Sequence, residues 1–400
     1  MMDIFLNCMA ASAGGGLTYL RNVAPHLSAR SGVQTTIAAP SSLKQELQHL
    51  PNVAWAELEP HHSAGRRFWQ EQFMLPRAIR DCGAEVLISA GNFALWKSPV
   101  PQVLLSGNSL YTSVDFYRDL RARRDYRLWL DSHIKGIFAR RSVYWADRTV
   151  TPTRAFAADL ERWTGKQAVS LHHGFDAQSF CGSESSLPAG TQAKLDSGKN
   201  ALRLLFVSHY NYYRNFETLL RAIPLIRERL ERRSVVLYLT CRLHSKENPG
   251  AFRAETAAAL VQQLGIADQV VELGQVPYNL LHHVYRAGDI YVTPAYAETF
   301  AHPVVEAMAS GVPVVAADLP VHREVCGDAG TYFERFSPQE LAQQVVRLAN
   351  SRELSRSLAD KGKIRSRDFS WARHVDEILR LAEELTQDSV KPSPQQELAA

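Results

Sequence analysis

Residues 288–320 read GDIYVTPAYAETFAHPVVEAMASGVPVVAADLP, and this stretch decides the fold. Asp289 to Thr293 alternates and is β-rich, Pro294 to Ala297 turns, Pro303 to Ser310 carries helical spacing and Gly311 stops it. Pro313 to Ala316 is a second short apolar strand. Two such strands joined by a helix pair in parallel through a right-handed crossover, which places the Tyr296 to His302 turn at the carboxyl edge of a sheet. Open α/β sheets bind their ligands at that edge.

Glu298 lies in the turn, and Glu306 follows eight residues later, about one turn inside the helix that opens near Pro303. A carboxylate only accepts hydrogen bonds, so a glutamate beside a diol takes two O–H donors and suits a ribose or hexose better than a phosphate. The amides of Phe300, Ala301 and His302 point out of the helix start, where the dipole favours an anion or a polar oxygen. The local alternative is that Glu306 only stabilises its own helix and Glu298 is a solvated turn residue.

The run ETFAHPVVEAMASGVPVVAAD resembles the Glu-x7-Glu signature of the retaining glycosyltransferases of family 4. Those enzymes have the α/β GT-B fold: two Rossmann-like domains with parallel sheets facing across a cleft, and a C-terminal helix crossing back to the first lobe. The resemblance implies that Glu298 holds the donor hexose, with Thr299 beside it. It also implies that the Phe300, Ala301 and His302 amides meet ring hydroxyls and that Glu306 holds the nucleotide ribose.

Four hundred residues of near-average composition describe a globular chain long enough for two domains. A net charge of +4 fits anionic ligands but is too weak to argue for nucleic acid. Five scattered cysteines offer neither a metal spacing nor a disulfide framework. The N-terminus lacks a basic, then apolar, leader and no window is apolar enough for a span, so the expected location is cytoplasmic.

Asp3 to Met9 reads as a first buried strand, and Gly14 to Gly16 lead into a helix carrying Leu17, Leu20, Val23 and Leu27. Glycine lets backbone amides approach a ligand, and the resemblance places Gly15 and Gly16 near the donor diphosphate; without it they are a plain strand-to-helix turn. Further strands are expected at Thr35 to Ala38, Glu85 to Ser89 and Gln102 to Ser106, with Arg66 to Asp81 a helix interrupted at Pro76. The last of these strands ends in Gly107-Asn108-Ser109, where the family often has a histidine. An amide binds a hydroxyl but is no base, so Asn108 is a sugar-side candidate or an ordinary turn residue.

Phe116 to Trp145 reads as one long basic helical region. Its arginines, Arg118 to Arg127, with Tyr126 and Trp129, are either a solvated face or a contact for a lipid-linked acceptor or anionic leaflet, so peripheral membrane contact through residues 118–129 is expected as a partner. The first domain is expected over 1–182, and the polar stretch 183–200 reads as an exposed linker. The second domain is expected over 201–370, followed by a crossover helix at 371–386 and a disordered tail at 387–400.

Leu202 to Val207 is a strand, and the helix from Phe216 to Leu230 follows a loop holding Ser208, His209, Arg214 and Asn215. A guanidinium at a helix start suits phosphate. Relatives usually have Gly-Arg and a later lysine there, so Arg214 keeps the charge while His209 replaces a permanent cation with a titratable one. By the same resemblance Gln275 and Val276 pass the nucleotide base.

The function these readings imply is metal-free transfer of a hexose from a nucleotide sugar to a glycan or lipid-linked acceptor, with retention; Arg214 stabilises the leaving diphosphate and Glu298 the sugar. No D-x-D sequence is present to bridge a divalent ion, and no other cofactor is implied. RFWQEQFMLPRAIR with Val103 to Leu110 resembles bacterial polysaccharide and O-antigen members, which suggests GDP-mannose. The alternatives are a GT-B epimerase or phosphorylase, and a non-catalytic nucleotide-sugar-binding subunit.

Overall fold

The computed structural model describes residues 2–11, 15–183, 185–231, 233–250 and 252–390, the last two of these by backbone alone. The chain divides into two compact units, the first formed by residues 1–112, 130–174 and 370–400 and the second by residues 113–129 and 175–369.

In the first unit seven parallel strands run β1 (Met2–Asn7), β2 (Val33–Ala38), β3 (Val53–Trp55), β4 (Val86–Ser89), β5 (Gln102–Leu105), β6 (Arg148–Thr151) and β7 (Val169–Ser170). Their order is β3-β2-β1-β4-β5-β6-β7, so the chain reverses direction of winding between β1 and β4. The register pairs Ile4 with Thr35 on one side and with Val86 on the other. One helical layer is supplied by Gly15–Ser28 and by the last helix, Trp371–Val390, whose Val375, Ile378, Leu379 and Ala382 share a core with Leu6, Leu20 and Val23. That helix continues four residues past the expected boundary at 386. The expected tail from 391 to 400 lies outside the described residues.

The second unit repeats the plan with β8 (Leu202–Phe206), β9 (Val235–Leu239), β10 (Val270–Glu272), β11 (Ile290–Thr293), β12 (Val314–Ala317) and β13 (Gly330–Phe333), in the order β10-β9-β8-β11-β12-β13. β11 and β12 are buried along their whole length, as parallel strands covered on both faces must be, which is why they read as unbroken apolar runs. The helix Phe216–Leu230 buries Phe216, Leu219, Leu220, Ile223 and Ile226 at helical spacing. The two doubly wound sheets are the Rossmann-like pair of the GT-B fold.

Four expectations change. Residues 64–81 form one helix that runs through Pro76, because the buried face of Phe68, Gln72, Leu75 and Ile79 outweighs the single backbone bond a proline removes. The long basic region is two helices, Val114–Ala122 and Tyr126–Trp145, broken where Arg124 takes a left-handed backbone at φ 54°. Its first part, residues 113–129, belongs to the second unit, and the division falls after residue 174 instead of 182. The supposed linker holds a helix, Ala189–Asp196, anchored by buried Leu195, whose carbonyl accepts the Tyr238 hydroxyl at 2.7 Å. One apolar anchor in eight residues leaves no period to read.

Candidate functional site

The winding of the second sheet reverses between β8 and β11, and at the carboxyl ends of those strands the chain places Arg214 and Glu298. This is the switch point at which doubly wound sheets bind ligands. Nη1 of Arg214 donates to the Glu298 carboxylate, with the two side chains only 20% and 11% exposed. Burial pushes the Glu298 carboxyl up, but the Arg214 guanidinium and the Thr299 amide, which donates at 3.0 Å, outweigh it and hold the group below its ordinary value. Arg214 stays protonated throughout the accessible range, and its buried Nε–H meets no acceptor among the described residues.

Glu298 leads into the helix His302–Ala309, entered through Ala301 in the left-handed region at φ 66° with Pro303 in the first turn. A non-glycine residue at such a φ is unusual, and here it turns the loop after β11 into the helix start at His302. Phe300 sends its ring into the core, edge-on to Phe369 at 5.2 Å, which leaves its backbone as the part suited to a ligand. Burial holds His302 near pKa 4 against the opposing pull of Glu298, so it is neutral at neutral pH.

Glu306 sits on the next turn of that helix, 5% exposed, and accepts the Tyr285 hydroxyl at 2.8 Å. Burial raises it to about 7, opposed only by that hydrogen bond. Tyr285 comes from the helix Leu281–Ala287, and nothing in its sequence neighbourhood announced the contact.

Asn215, expected to touch the donor, is committed elsewhere. Its Nδ2 donates to the Pro294 and Arg335 carbonyls at 3.0 and 2.7 Å, and its Oδ1 accepts the Thr218 hydroxyl at 2.9 Å. It therefore ties the loops after β8, β11 and β13 together and fixes the residue beside Arg214. Partial burial, and then the neighbouring Arg214 charge, hold His209 below its ordinary pKa. Gln275 is exposed and Val276 half-buried after β10, two strands along the same edge from β8, a span of roughly 10 Å.

One further side chain at this edge escaped the sequence reading. His322, fully buried just after β12, donates from Nδ1 to the Ala317 carbonyl at 2.7 Å, which leaves Nε2 a bare acceptor without a partner among the described residues. Its charge state is coupled to Glu298 and Arg214, so β8, β11 and β12, adjacent in the sheet, each contribute one member of a buried group.

The segment 113–129 is docked on the same loops. Arg123 binds Asp119 and Glu217, each at 2.8 Å, while the hydroxyls of Tyr296 and Tyr210 reach Asp119 at 2.8 Å and Glu217 at 3.0 Å. Arg118 pairs with Asp115 at 2.9 Å, and Arg121 lies over Trp129. Much of the basic run expected to meet a leaflet is thus engaged within its own unit.

Gly15, Gly16 and Asn108 stand in the first unit. The two glycines are the first positions of the helix Gly15–Ser28, after β1. Asn108 caps the short turn at Ser109–Tyr111, its Oδ1 accepting the Leu110 amide at 3.0 Å, which is the turn-residue reading. Among the described residues no group of three or more His, Cys, Asp or Glu could hold a metal ion, and no helix is long and apolar enough to cross a membrane.

Two family models match the chain, Glycosyltransferase Family 4 over residues 13–179 and Glycosyl transferases group 1 over residues 191–365. Side by side they match the two halves of the chain to these two glycosyltransferase domain types. A D-inositol 3-phosphate glycosyltransferase of Thermomonospora curvata is 29% identical over 47% of this chain and 44% of its own length. The chain spans about half the length of the curated relatives it matches. Among solved structures, sucrose-phosphate synthase from Thermosynechococcus elongatus superposes with a TM-score of 0.75 at 17% identity over 97% of this chain and 100% of that one. Anabaena HepE, solved with UDP-glucose, does so with 0.69 at 16% over 96% and 100%. At these identities the likeness concerns the fold.

Proposed function

We propose that the chain is a nucleotide-sugar-dependent glycosyltransferase that moves a hexose, with retention and without a metal ion, to a glycan or lipid-linked acceptor. The buried Arg214–Glu298 pair at the switch point of the second sheet carries this reading. Departure of the sugar leaves negative charge on the diphosphate and positive character on the sugar, so fixed cations and helix N-termini lower the barrier most. Arg214 gives one N–H donor to Glu298 and has further donors for phosphate oxygens. Glu298 keeps lone pairs for hexose hydroxyls, Glu306 takes the ribose diol, and the amides of residues 300–302 meet ring hydroxyls. Gly15 and Gly16 approach the diphosphate, and Gln275 and Val276 the base.

Relatives are named for transfer involving D-inositol 3-phosphate, and one neighbour was solved with UDP-glucose. GDP-mannose is the donor favoured by the sequence, and the cytoplasm the expected compartment. A second reading, binding without turnover, is favoured by His209, whose pKa burial holds below its ordinary value where the family resemblance leads one to expect a permanently charged arginine.

The deciding experiment is calorimetric titration of UDP, GDP and their sugar conjugates in the presence of a chelator, followed by an acceptor screen with the donor that binds. Tight binding of one nucleotide, weakened in Glu306→Ala, supports the site. Binding of neither overturns it, and binding with no turnover across many acceptors favours the second reading.

A further inference from the structure

The first unit carries an exposed apolar surface that the transferase reading does not use. On the helix Ala64–Asp81, Trp69 and Phe73 are 46% and 67% exposed and stack on one another with ring centroids 6.0 Å apart. Trp96, from the loop between β4 and β5, closes against both at 5.6 and 5.8 Å. Phe68 of the same helix meets Phe138 of the helix Tyr126–Trp145 at 5.0 Å, so the two helices are neighbours. The second helix exposes Leu130, Ile134 and Ile137 at 55%, 48% and 59%, one helical stripe. An exposed aromatic triad beside an exposed aliphatic stripe is the kind of apolar patch that marks an interaction surface.

Charge decides which partner. Arg66 precedes Trp69 at helical spacing, Lys97 follows Trp96, and Arg141 continues the Leu130 stripe, all of them exposed. The acids of the same helical faces, Asp81 and Asp131, are already paired with Arg77 and Lys135. A rim of cations around rings and branched aliphatics matches the interface of an anionic leaflet, where indoles sit at headgroup level and aliphatic side chains enter the acyl region. A glycan fits less well, since Leu130, Ile134 and Ile137 offer nothing to hydroxyls.

We propose that this face of the first unit, built on Trp69, Phe73, Trp96 and the Leu130–Ile137 stripe, docks the protein on an anionic phospholipid surface. The experiment is co-sedimentation of the full chain with phosphatidylcholine vesicles, with and without phosphatidylglycerol. Trp69→Ser with Phe73→Ser is compared with Arg121→Gln, Arg124→Gln and Arg127→Gln. Both changed aromatics are exposed, and unchanged thermal melting confirms that the variant keeps its fold. The wild type is expected to sediment with the anionic vesicles, the aromatic variant to bind about tenfold more weakly, and the arginine variant to bind as wild type. Equal binding by the aromatic variant, or no vesicle binding by the wild type, overturns the proposal. So does a wild-type dimer that the aromatic variant dissolves, since the face then belongs to a second copy. None of these readouts depends on transfer activity.

Discussion

Nucleotide affinity should follow the charge of Glu306. Burial raises its pKa from 4.5 to about 7, equivalent to about 3 kcal/mol against the ionised form. On the transferase reading a ribose diol donates two hydrogen bonds to this group and therefore needs the carboxylate, so binding must draw off the proton that burial holds on Glu306. Affinity should fall about tenfold per pH unit below about pH 7 and level off above it, with up to one proton released per nucleotide at about pH 6. The sign on folding is set by the same shift. The folded chain holds this proton more tightly than the unfolded chain, so the stabilisation is full below pH 4.5 and is lost as pH rises through about 7.

The assay is calorimetric titration of the nucleotide at about pH 6 and about pH 8, in buffers with different heats of ionisation, for wild type and Glu306→Gln. The nucleotide phosphate also titrates in this range, but it persists in the variant, so the difference isolates Glu306. The variant should bind ten- to a hundredfold more weakly at the higher pH, the value of charge-assisted bonds to a diol, and should lose the proton release. Identical proton release in wild type and variant would refute the reasoning.

Removing the cation should be felt twice. Arg214→Ala leaves the Glu298 carboxylate buried without its partner, at about 3–5 kcal/mol, and should cut turnover about 10² to 10³-fold; adding Glu298→Gln should restore the melting temperature and leave turnover low, measured by thermal melts and single-turnover rates. A Cβ on Gly174 would run into the backbone nitrogen and Cα of Trp371, so Gly174→Ala should destabilise by about 1–3 kcal/mol or more, while Gly190→Ala, where a Cβ meets nothing, should melt as wild type.

The elements that a sequence period can encode were legible. The helix Phe216–Leu230 and the strand, helix, strand unit around Glu298 appear within a residue or two of where spacing puts them. Arg214 and Glu298 could each be singled out, but their pairing spans 84 residues and depends on β8 and β11 being neighbours. The Tyr285 contact with Glu306 and the Tyr296 contact with Asp119 are of the same kind, chosen by packing with no local signature. Asn215 misled for a related reason. An asparagine beside an arginine at a helix start suits a ligand equally well, and only its two backbone acceptors show that its amide is spent on holding loops.

The ion pair also constrains how any transfer chemistry is shared out. Arg214 with Glu298 is neutral as a unit, so an arriving diphosphate finds a guanidinium whose charge is partly cancelled. On the transferase reading the deficit falls to backbone dipoles, and two helices begin at the right edge: Phe216–Leu230 immediately after Arg214, and His302–Ala309 after Glu298. Each N-terminus supplies about half a positive charge that no pH change removes. Neutral His209 beside them then weakens leaving-group stabilisation without abolishing it. The pair meanwhile keeps both side chains oriented, whereas an unpaired carboxylate at this depth would take up a proton and turn from acceptor into donor.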